Sequence, residues 1–186
     1  ESPAEGVDTG DRFVEIYNLV FMQFNRSPDG ELSPLPKPSV DTGMGLERIT
    51  AVLQGINDNY ETDLFKDLIK KIASNMGELN LENPSLRVIA DHLRSSSYLI
   101  ADGLSVSNEG RGYVLRRIIR RALRHAYKLN PDYEKPLSGL VKELVSQMGK
   151  EHALLSKNKK IIKKTIEKEE QQFSLTLRNG MRIFEN

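Results

Sequence analysis

The stretch GRGYVLRRIIRRALRHAYK, residues 110–128, sets how the second half of the chain folds. Its apolar residues recur every three or four positions, which predicts an amphipathic helix. With ~100° between successive residues, six cations fall within an arc of about 140°. These cations are Arg116, Arg117, Arg120, Arg121, Arg124 and Lys128. The opposite arc holds the apolar residues Leu115, Ile118, Ile119, Ala122, Leu123 and Ala126.

The cationic front of this helix has two interpretations. Like charges four residues apart repel by roughly a few tenths of a kcal/mol per pair, and no acid lies between Gly110 and Pro131. Because of this repulsion, solubility alone does not explain so basic a face well. Because arginine forks onto phosphate oxygens, the pattern favours a polyanionic partner.

A glycine-containing loop, residues 105–112, leads into this helix and carries Asn108. An amide offers both a donor and an acceptor, so it can read a base edge where arginine reads only charge. On spacing alone, an ordinary loop or capping role for Asn108 is the favoured interpretation.

The first part of the chain predicts strands. Residues from about Arg12 to Asn25 are rich in β-branched and aromatic side chains. Ser27-Pro28-Asp29-Gly30 predicts a turn, and Leu32 to Leu35 would complete a hairpin. We expect the following prolines, Pro34, Pro36 and Pro38, to keep the backbone extended and irregular.

The segment DTGMGLER, residues 41–48, predicts a strand end, a glycine turn and a helix start, with Gly55 as the helix stop. A carboxylate at Asp41 followed by glycines can sit close to a ligand, and Arg48 could bind phosphate or lie on a purine. Spacing alone favours the plainer interpretation, a helix start with a surface arginine.

Polar residues interrupt the first predicted strand. An unpaired buried amide or carboxylate costs a few kcal/mol, roughly 1–3. Either this strand has a solvated face, or Glu15 and Asn18 line a polar site, and the sequence leaves both open. His92, beside Asp91, favours a structural role, because no second histidine is near it in sequence.

The remaining chain predicts helices at about 62–75, 84–101, 111–128, 135–148 and 151–182. The expected fold class is α+β: an antiparallel hairpin with a strand–helix unit over residues 1–57, then a mainly helical domain over 58–186. So few strands would leave open edges. Together with the absence of an initial methionine, this predicts an excised piece of a longer chain, although processing could give the same start.

Composition excludes several classes of protein. The 186 residues carry a net charge of +1 and include no cysteine. Disulfides and thiolate zinc sites are therefore excluded, and a reducing compartment fits. No stretch approaches the ~20 apolar residues of a bilayer span, and residues 1–10 resemble neither a signal nor a transit peptide.

Several long motifs carry a family resemblance. The stretches FVEIYNLVFMQF at 13–24 and PLPKPSVDTGMGLER at 34–48 resemble the alanyl-tRNA synthetase family around motif 3 of the class II catalytic domain. RVIADH at 87–92 and RGYVLRRIIRR at 111–121 resemble the helical tRNA-recognition segment of that family. The resemblance runs from about Arg12 to Arg182.

The resemblance implies a ligase that activates alanine with ATP and Mg²⁺ and transfers it to tRNA(Ala). It implies that Asp41 binds the α-amino group of alanine, with Asn18, Val20 and Gly43 shaping the pocket. It also implies that Arg48 binds ATP and that Glu15 helps to hold Mg²⁺.

The resemblance further implies how the chain meets the acceptor stem. Asn108 would read the G·U wobble pair, and the arginine face would hold the backbone. Its members would be Arg116, Arg117, Arg120, Arg121 and Arg124. A cytoplasmic location is implied, with no membrane partner.

The chain departs from the family pattern in what it lacks. Motifs 1 and 2 are absent, as are the editing domain with its zinc ligands and a second acceptor-stem residue. We therefore expect that residues 1–186 do not aminoacylate alone. An RNA-binding module without catalysis would explain the basic helix but not Asp41 and Arg48, and a helical scaffold would explain neither.

Overall fold

The computed structural model describes residues 13–184, so the expectations for residues 1–10 and for Arg12 lie outside the described residues. The chain divides into two compact units between Thr62 and Asp63. Each unit is described by itself.

The first unit is a long antiparallel hairpin followed by a short helix. Strand β1 (Tyr17–Arg26) pairs with β2 (Leu32–Met44). The predicted turn between them is confirmed: the Gly30 amide donates to the Ser27 carbonyl at 2.9 Å, and Gly30 adopts a φ of +95°. Positive φ is a conformation that glycine adopts without steric strain.

Strand β2 is longer than the sequence predicted. An irregular connection after Leu35 was expected, yet the strand continues through the three prolines to Met44. The pairing shifts at this point, from Met22 opposite Ser39 to Phe24 opposite Pro34. Proline lacks an N–H and is tolerated where the ladder is interrupted, so the irregularity sits in the pairing and not in the strand.

Helix α1 (Leu46–Gln54) follows the second strand. It ends at Gly55, whose φ of +66° is left-handed and whose N–H bonds back to the last turn. The predicted stop is confirmed. A short 3₁₀ turn, Asn59–Glu61, is capped by the Asp58 side chain, which accepts from the Tyr60 amide.

The second unit is helical. Its helices are α2 (Lys66–Met76), α3 (Pro84–Ala101), α4 (Gly110–Leu129), α5 (Val141–Met148) and α6 (Ala153–Phe184). The predicted span 84–101 is confirmed in full, with Asn83 as N-cap and Pro84 in the first turn. The span 135–148 was too long, because a 3₁₀ turn at Ser138–Leu140 follows Pro136 and the helix begins only at Val141.

Helix α3 lies at the centre of this unit and contacts α2, α4, α5 and α6. The core between them is formed by fully buried aliphatic side chains such as Leu68, Ile72, Leu86, Ile89, Leu93, Leu115, Ile119, Leu144, Leu155 and Ile162. This packing fixes one face of α4 and leaves its other face outward. Within residues 13–184, no helix combines the length and apolarity that crossing a bilayer requires.

Candidate functional sites

Two cross-strand pairs in the hairpin bring four expected site residues together. Asn18 lies opposite Gly43, and Val20 lies opposite Asp41. Residues two apart in a strand share a face. Asn18, Val20, Asp41 and Gly43 therefore line one face of the hairpin, although the two segments are separated in sequence.

A small polar cluster borders this face at the start of β1. The Asn18 Nδ2 donates to Glu15 Oε1 at 2.8 Å, and an Arg48 Nη1 donates to the Glu15 carbonyl at 2.5 Å. Strand β1 begins only at Tyr17, so Glu15 precedes the strand. In a regular strand, Glu15 and Asn18 would point to opposite faces, but this alternation does not apply to Glu15. Of the two alternatives for this strand, the solvated face is confirmed, because Glu15 and Asn18 are both solvent-exposed, and their side chains are hydrogen bonded to each other.

Two glycines allow the close approach of these side chains. A Cβ added to Gly43 would lie 3.0 Å from the Asn18 amide oxygen. A Cβ added to Gly45 would lie 3.3 Å from Arg48 Cδ. The glycines thus leave room for the Asn18 amide and for the stem of Arg48.

Asp41 stands on the open face of the hairpin. Its Oδ1 accepts from the Thr42 amide at 2.8 Å, and the residue is exposed, as is Val20 at 48%. A carboxylate held this way can accept a hydrogen bond from an ammonium group. The hairpin therefore presents an exposed carboxylate on the same face as Asn18, Val20 and Gly43.

Metal binding at the hairpin would use fewer than three acidic, histidine or cysteine side chains of the described residues. In the stretch from Phe13 to Phe184, no group of three or more acidic, histidine or cysteine side chains is placed to hold a metal. Mg²⁺ in phosphate-handling sites commonly uses one or two carboxylates together with substrate phosphates. Glu15, exposed and next to Arg48, fits that limited role.

In the second unit, the predicted basic helix is α4, and its apolar back is buried. Leu115, Ile119, Ala122 and Ala126 have no exposed surface. Ile118 differs from the expectation, because it is only half-buried.

The six cations of α4 divide into two groups. Arg117, Arg121, Arg124 and Lys128 are exposed, and in residues 13–184 none of them pairs with a carboxylate. We call these four the outer stripe. Arg117, Arg121 and Arg124 line a groove of about 570 Å³ together with Tyr113, His92 and Phe173.

Arg116 and Arg120 instead meet an acid from another helix. Arg120 Nε donates to Glu169 Oε1 at 2.6 Å, and Arg116 Nε lies 3.5 Å from Glu169 Oε2. Glu169, on α6, is 3% exposed. Arg116 and Arg120 border the packed side of α4, which explains why they and not the outer stripe reach α6.

The loop before α4 rests on its first turn. Asn108 Oδ1 accepts a hydrogen bond from Arg116 Nη1, and Ser107 Oγ donates to the Glu109 carbonyl at 2.7 Å. Gly112 is buried beneath the loop, and a Cβ there would overlap the Ser105 carbonyl and the Ser107 hydroxyl. Gly112 therefore lets the loop that carries Asn108 lie directly on the helix.

The histidines beside the groove have partners within the unit. His92 Nδ1 lies 2.7 Å from Asp91 Oδ2, and His125 Nδ1 lies 3.1 Å from Ser85 Oγ. Burial lowers the pKa of His125, and the nearby charges of Arg124 and Arg121 lower it further. His125 is therefore held toward its neutral form beside the outer stripe.

Two residues that shape the site around α4 were not predicted from the sequence, namely Glu169 and Gly112. Glu169 lies three residues after Ile166 and four before Phe173, so its position on the apolar side of α6 was readable from helical spacing. The packing role of Gly112 could not be predicted from neighbouring residues, because it depends on the preceding loop folding back onto the helix.

Comparisons with known proteins agree with this architecture. The whole chain, residues 1–186, matches the family of tRNA synthetases class II (A). The chain belongs to this family.

The particular relatives are alanine–tRNA ligases. The chain is 56% identical over 181 residues to the alanine–tRNA ligase of Idiomarina loihiensis, covering 97% of this chain. It is 55% identical to that of Coxiella burnetii and 54% identical to that of Neisseria meningitidis serogroup B, each over 99% of this chain. The chain spans about a fifth of the length of these curated relatives, 21% in each case.

Proposed function

We propose that this chain forms part of an alanine–tRNA ligase, supplying one wall of the alanine and ATP site and a surface that binds the tRNA(Ala) acceptor stem. The observation that carries the proposal is the shared hairpin face of Asn18, Val20, Asp41 and Gly43. In this proposal, residues 1–57 end the catalytic domain and residues 58–186 recognise tRNA.

Alanine binds against the hairpin face. The Asp41 carboxylate accepts hydrogen bonds from the ammonium group, and such charge-assisted bonds are worth about 1.5–3 kcal/mol. Val20, opposite Asp41, contacts the methyl group. Gly43 has no side chain and so leaves room for the Asn18 amide beside the bound alanine.

ATP binds beside the polar cluster. Arg48 uses one N–H on the Glu15 carbonyl and has further donors for phosphate oxygens, because a guanidinium carries five. Glu15 would hold Mg²⁺ through its carboxylate, and the ion would supply neutralisation of phosphate charge there. Reaction at the α-phosphate then depends on positioning and charge neutralisation and not on a protein nucleophile.

The acceptor stem binds along α4. The outer stripe contacts phosphates, and Asn108 reads the G·U pair through its amide. Arg116 and Arg120 border the same groove and add donors that Glu169 does not occupy. This assignment explains why four cations on one face lack internal acidic partners among the described residues.

The activity belongs to the longer cytoplasmic enzyme. In this proposal residues 1–186 alone do not aminoacylate, because motifs 1 and 2, which supply most ATP contacts in class II enzymes, lie outside these residues, as do the editing domain and its zinc. Alanyl-adenylate formation by residues 1–186 would contradict this.

The test is Asp41→Asn in a full-length synthetase that contains this chain. Alanine-dependent ATP–pyrophosphate exchange should fall about tenfold, with tRNA binding unchanged, because the amide oxygen of Asn still accepts from the ammonium group but without the charge assistance, a loss of about 1–1.5 kcal/mol. The control is Glu31→Gln, in the turn region of the same hairpin. Full exchange activity in the Asp41 variant would remove the alanine assignment and leave the RNA-binding module as the surviving function.

A further inference from the structure

Glu169 is a buried carboxylate that accepts a hydrogen bond from Arg120 and forms an ion pair with Arg116, both on a neighbouring helix. Its side chain is 4% exposed, and it lies 2.6 Å from Arg120 Nε and 3.5 Å from Arg116 Nε. The Arg120 guanidinium also lies 5.2 Å from the centre of the Phe173 ring. Buried charge of this kind persists only where it is paired.

Arg116 connects this carboxylate to the surface. Its side chain is 18% exposed, and its Nη1 donates to Asn108 Oδ1. Glu169 lies behind Arg116 in the core as an ion-pair partner at 3.5 Å, without a hydrogen bond to the Arg116 Nε, and Asn108 lies in front of it in the loop and accepts a hydrogen bond. The contacts from Glu169 to Arg116 and from Arg116 to Asn108 thus connect the core of the unit with an exposed amide.

The chemistry of arginine fixes the orientation of that amide. Arginine has donors only, so the atom of Asn108 that faces Arg116 is the carbonyl oxygen. The Asn108 Nδ2 then points away from Arg116 with its two N–H donors. An asparagine held this way presents a donor to a ligand.

We propose that Glu169 is a positioning residue for nucleic-acid recognition: by holding Arg116 it fixes the Asn108 amide so that Nδ2 donates to a hydrogen-bond acceptor on the RNA. The inference rests on the proposed function of Asn108 in acceptor-stem binding. It adds which atom of Asn108 faces the RNA and which buried residue determines this.

Glu169 has a second effect, on charge. Its single negative charge offsets one of the two positive charges of Arg116 and Arg120, near the N-terminal end of α4, where the loop with Asn108 lies. Non-specific binding to phosphate grows with the number of available cations. The Glu169 carboxylate therefore weakens the sequence-independent attraction of RNA phosphates near Asn108, the residue that distinguishes base pairs in this proposal.

The experiment compares Glu169→Gln with the unmodified 186-residue chain. The probes are two RNA stem-loops that differ only in a G·U or a G·C pair at the recognised step. Discrimination between the probes should fall about tenfold, while binding to the G·C probe tightens and its salt dependence steepens. A residue that only stabilises the fold would weaken binding to both probes together and would not steepen the salt dependence.

Two further variants complete the design. Asn108→Asp replaces the outward donor with an acceptor and should lose discrimination as Glu169→Gln does. The control Glu167→Gln lies on the same helix and removes a carboxylate that pairs with Lys135 at 2.7 Å, away from Asn108. It should leave both probes unaffected, and thermal melting of every variant checks folding.

The outcomes separate the two proposals. If Asn108→Asp keeps full discrimination, the proposed role of Asn108 is wrong. If Asn108→Asp loses discrimination but a folded Glu169→Gln retains it, Asn108 reads the RNA and the positioning role of Glu169 is wrong. Should Glu169→Gln not fold, Arg116→Lys, which keeps the charge but not the forked geometry, takes its place: discrimination between the probes should fall, while the salt dependence stays unchanged, and full discrimination in this variant would contradict the positioning role.

Discussion

Gly43 lies directly opposite Asn18 in the hairpin, and a Cβ on Gly43 would come within 3.0 Å of the Asn18 amide oxygen. The Asn18 Nδ2 is in turn 2.8 Å from Glu15 Oε1. The absence of a side chain at one position thus permits a hydrogen bond that joins the pocket face to the cluster containing Arg48.

Gly43→Ala in the full-length synthetase should displace the Asn18 amide and weaken its bond to Glu15. One such bond contributes about 0.5–1.5 kcal/mol, so alanine-dependent pyrophosphate exchange should fall roughly 3- to 10-fold. Thr42→Ala, on the opposite face of the same strand, is the control. Equal effects of the two changes would contradict a specific role for Gly43.

Arg117→Glu combined with Arg121→Glu should weaken tRNA binding at least tenfold, about 1.4 kcal/mol. The slope of log K against log salt should become shallower by about 0.9 for each phosphate that the variant no longer neutralises. Titration of the chain with tRNA at several salt concentrations measures both quantities.

The matched control for this pair is Lys142→Glu with Lys150→Glu, which makes the same change in net charge at two exposed lysines beyond the outer stripe. It should change the salt slope less. If the two double variants behave alike, only net charge matters and the outer stripe is not an RNA-binding surface.

Gly112→Ala should destabilise the helical unit by about 1–3 kcal/mol, the usual cost of overpacking. The reason is that the Cβ would meet the backbone of the overlying loop, with Ser107 N only 2.9 Å away. Urea denaturation measures this. Gly139→Ala is the control, because its nearest neighbour is Lys135 Cβ at 3.8 Å, and a similar loss there would argue against the loop contact.

Glu170 gives the helical unit a pH dependence of known sign. Its carboxylate accepts from the Leu137 and Ser138 amides at 2.6 and 2.9 Å, but burial outweighs these bonds and raises its pKa above the ordinary 4.5. A carboxyl group with a raised folded-state pKa contributes stability that is fully present below the unfolded pKa. That stability is lost as the pH rises through the folded-state value.

Glu170→Gln should therefore flatten the fall of the free energy of unfolding as the pH is raised from 4.5 toward neutrality. Urea denaturation across this range, with Glu151→Gln as an exposed control, measures the slope. A slope unchanged in Glu170→Gln would show that this carboxyl is not the source.

The elements of the fold could be predicted from the sequence where neighbouring residues determine them. The turn at Gly30, the helix stop at Gly55 and the whole of α3 follow from residues that are adjacent in sequence. The start of α5 was misjudged, because Pro136 permits a 3₁₀ turn whose amides are satisfied by Glu170, 33 residues away. Glu169 is likewise 49 residues from Arg120 in sequence, so the charges of the segment around α4 did not include it.

Local chemistry along the chain was enough to establish the hairpin turn, the amphipathic character of α4 and the family, because turn residues, helical periodicity and motifs are contiguous. Only the packed helices reveal which cations remain outward and which are neutralised, because Glu169 reaches Arg116 and Arg120 only when α6 packs against α4. Strand register likewise places Asn18, Val20, Asp41 and Gly43 on one face. Pairing across a hairpin with a bulge is set by geometry that no short segment contains.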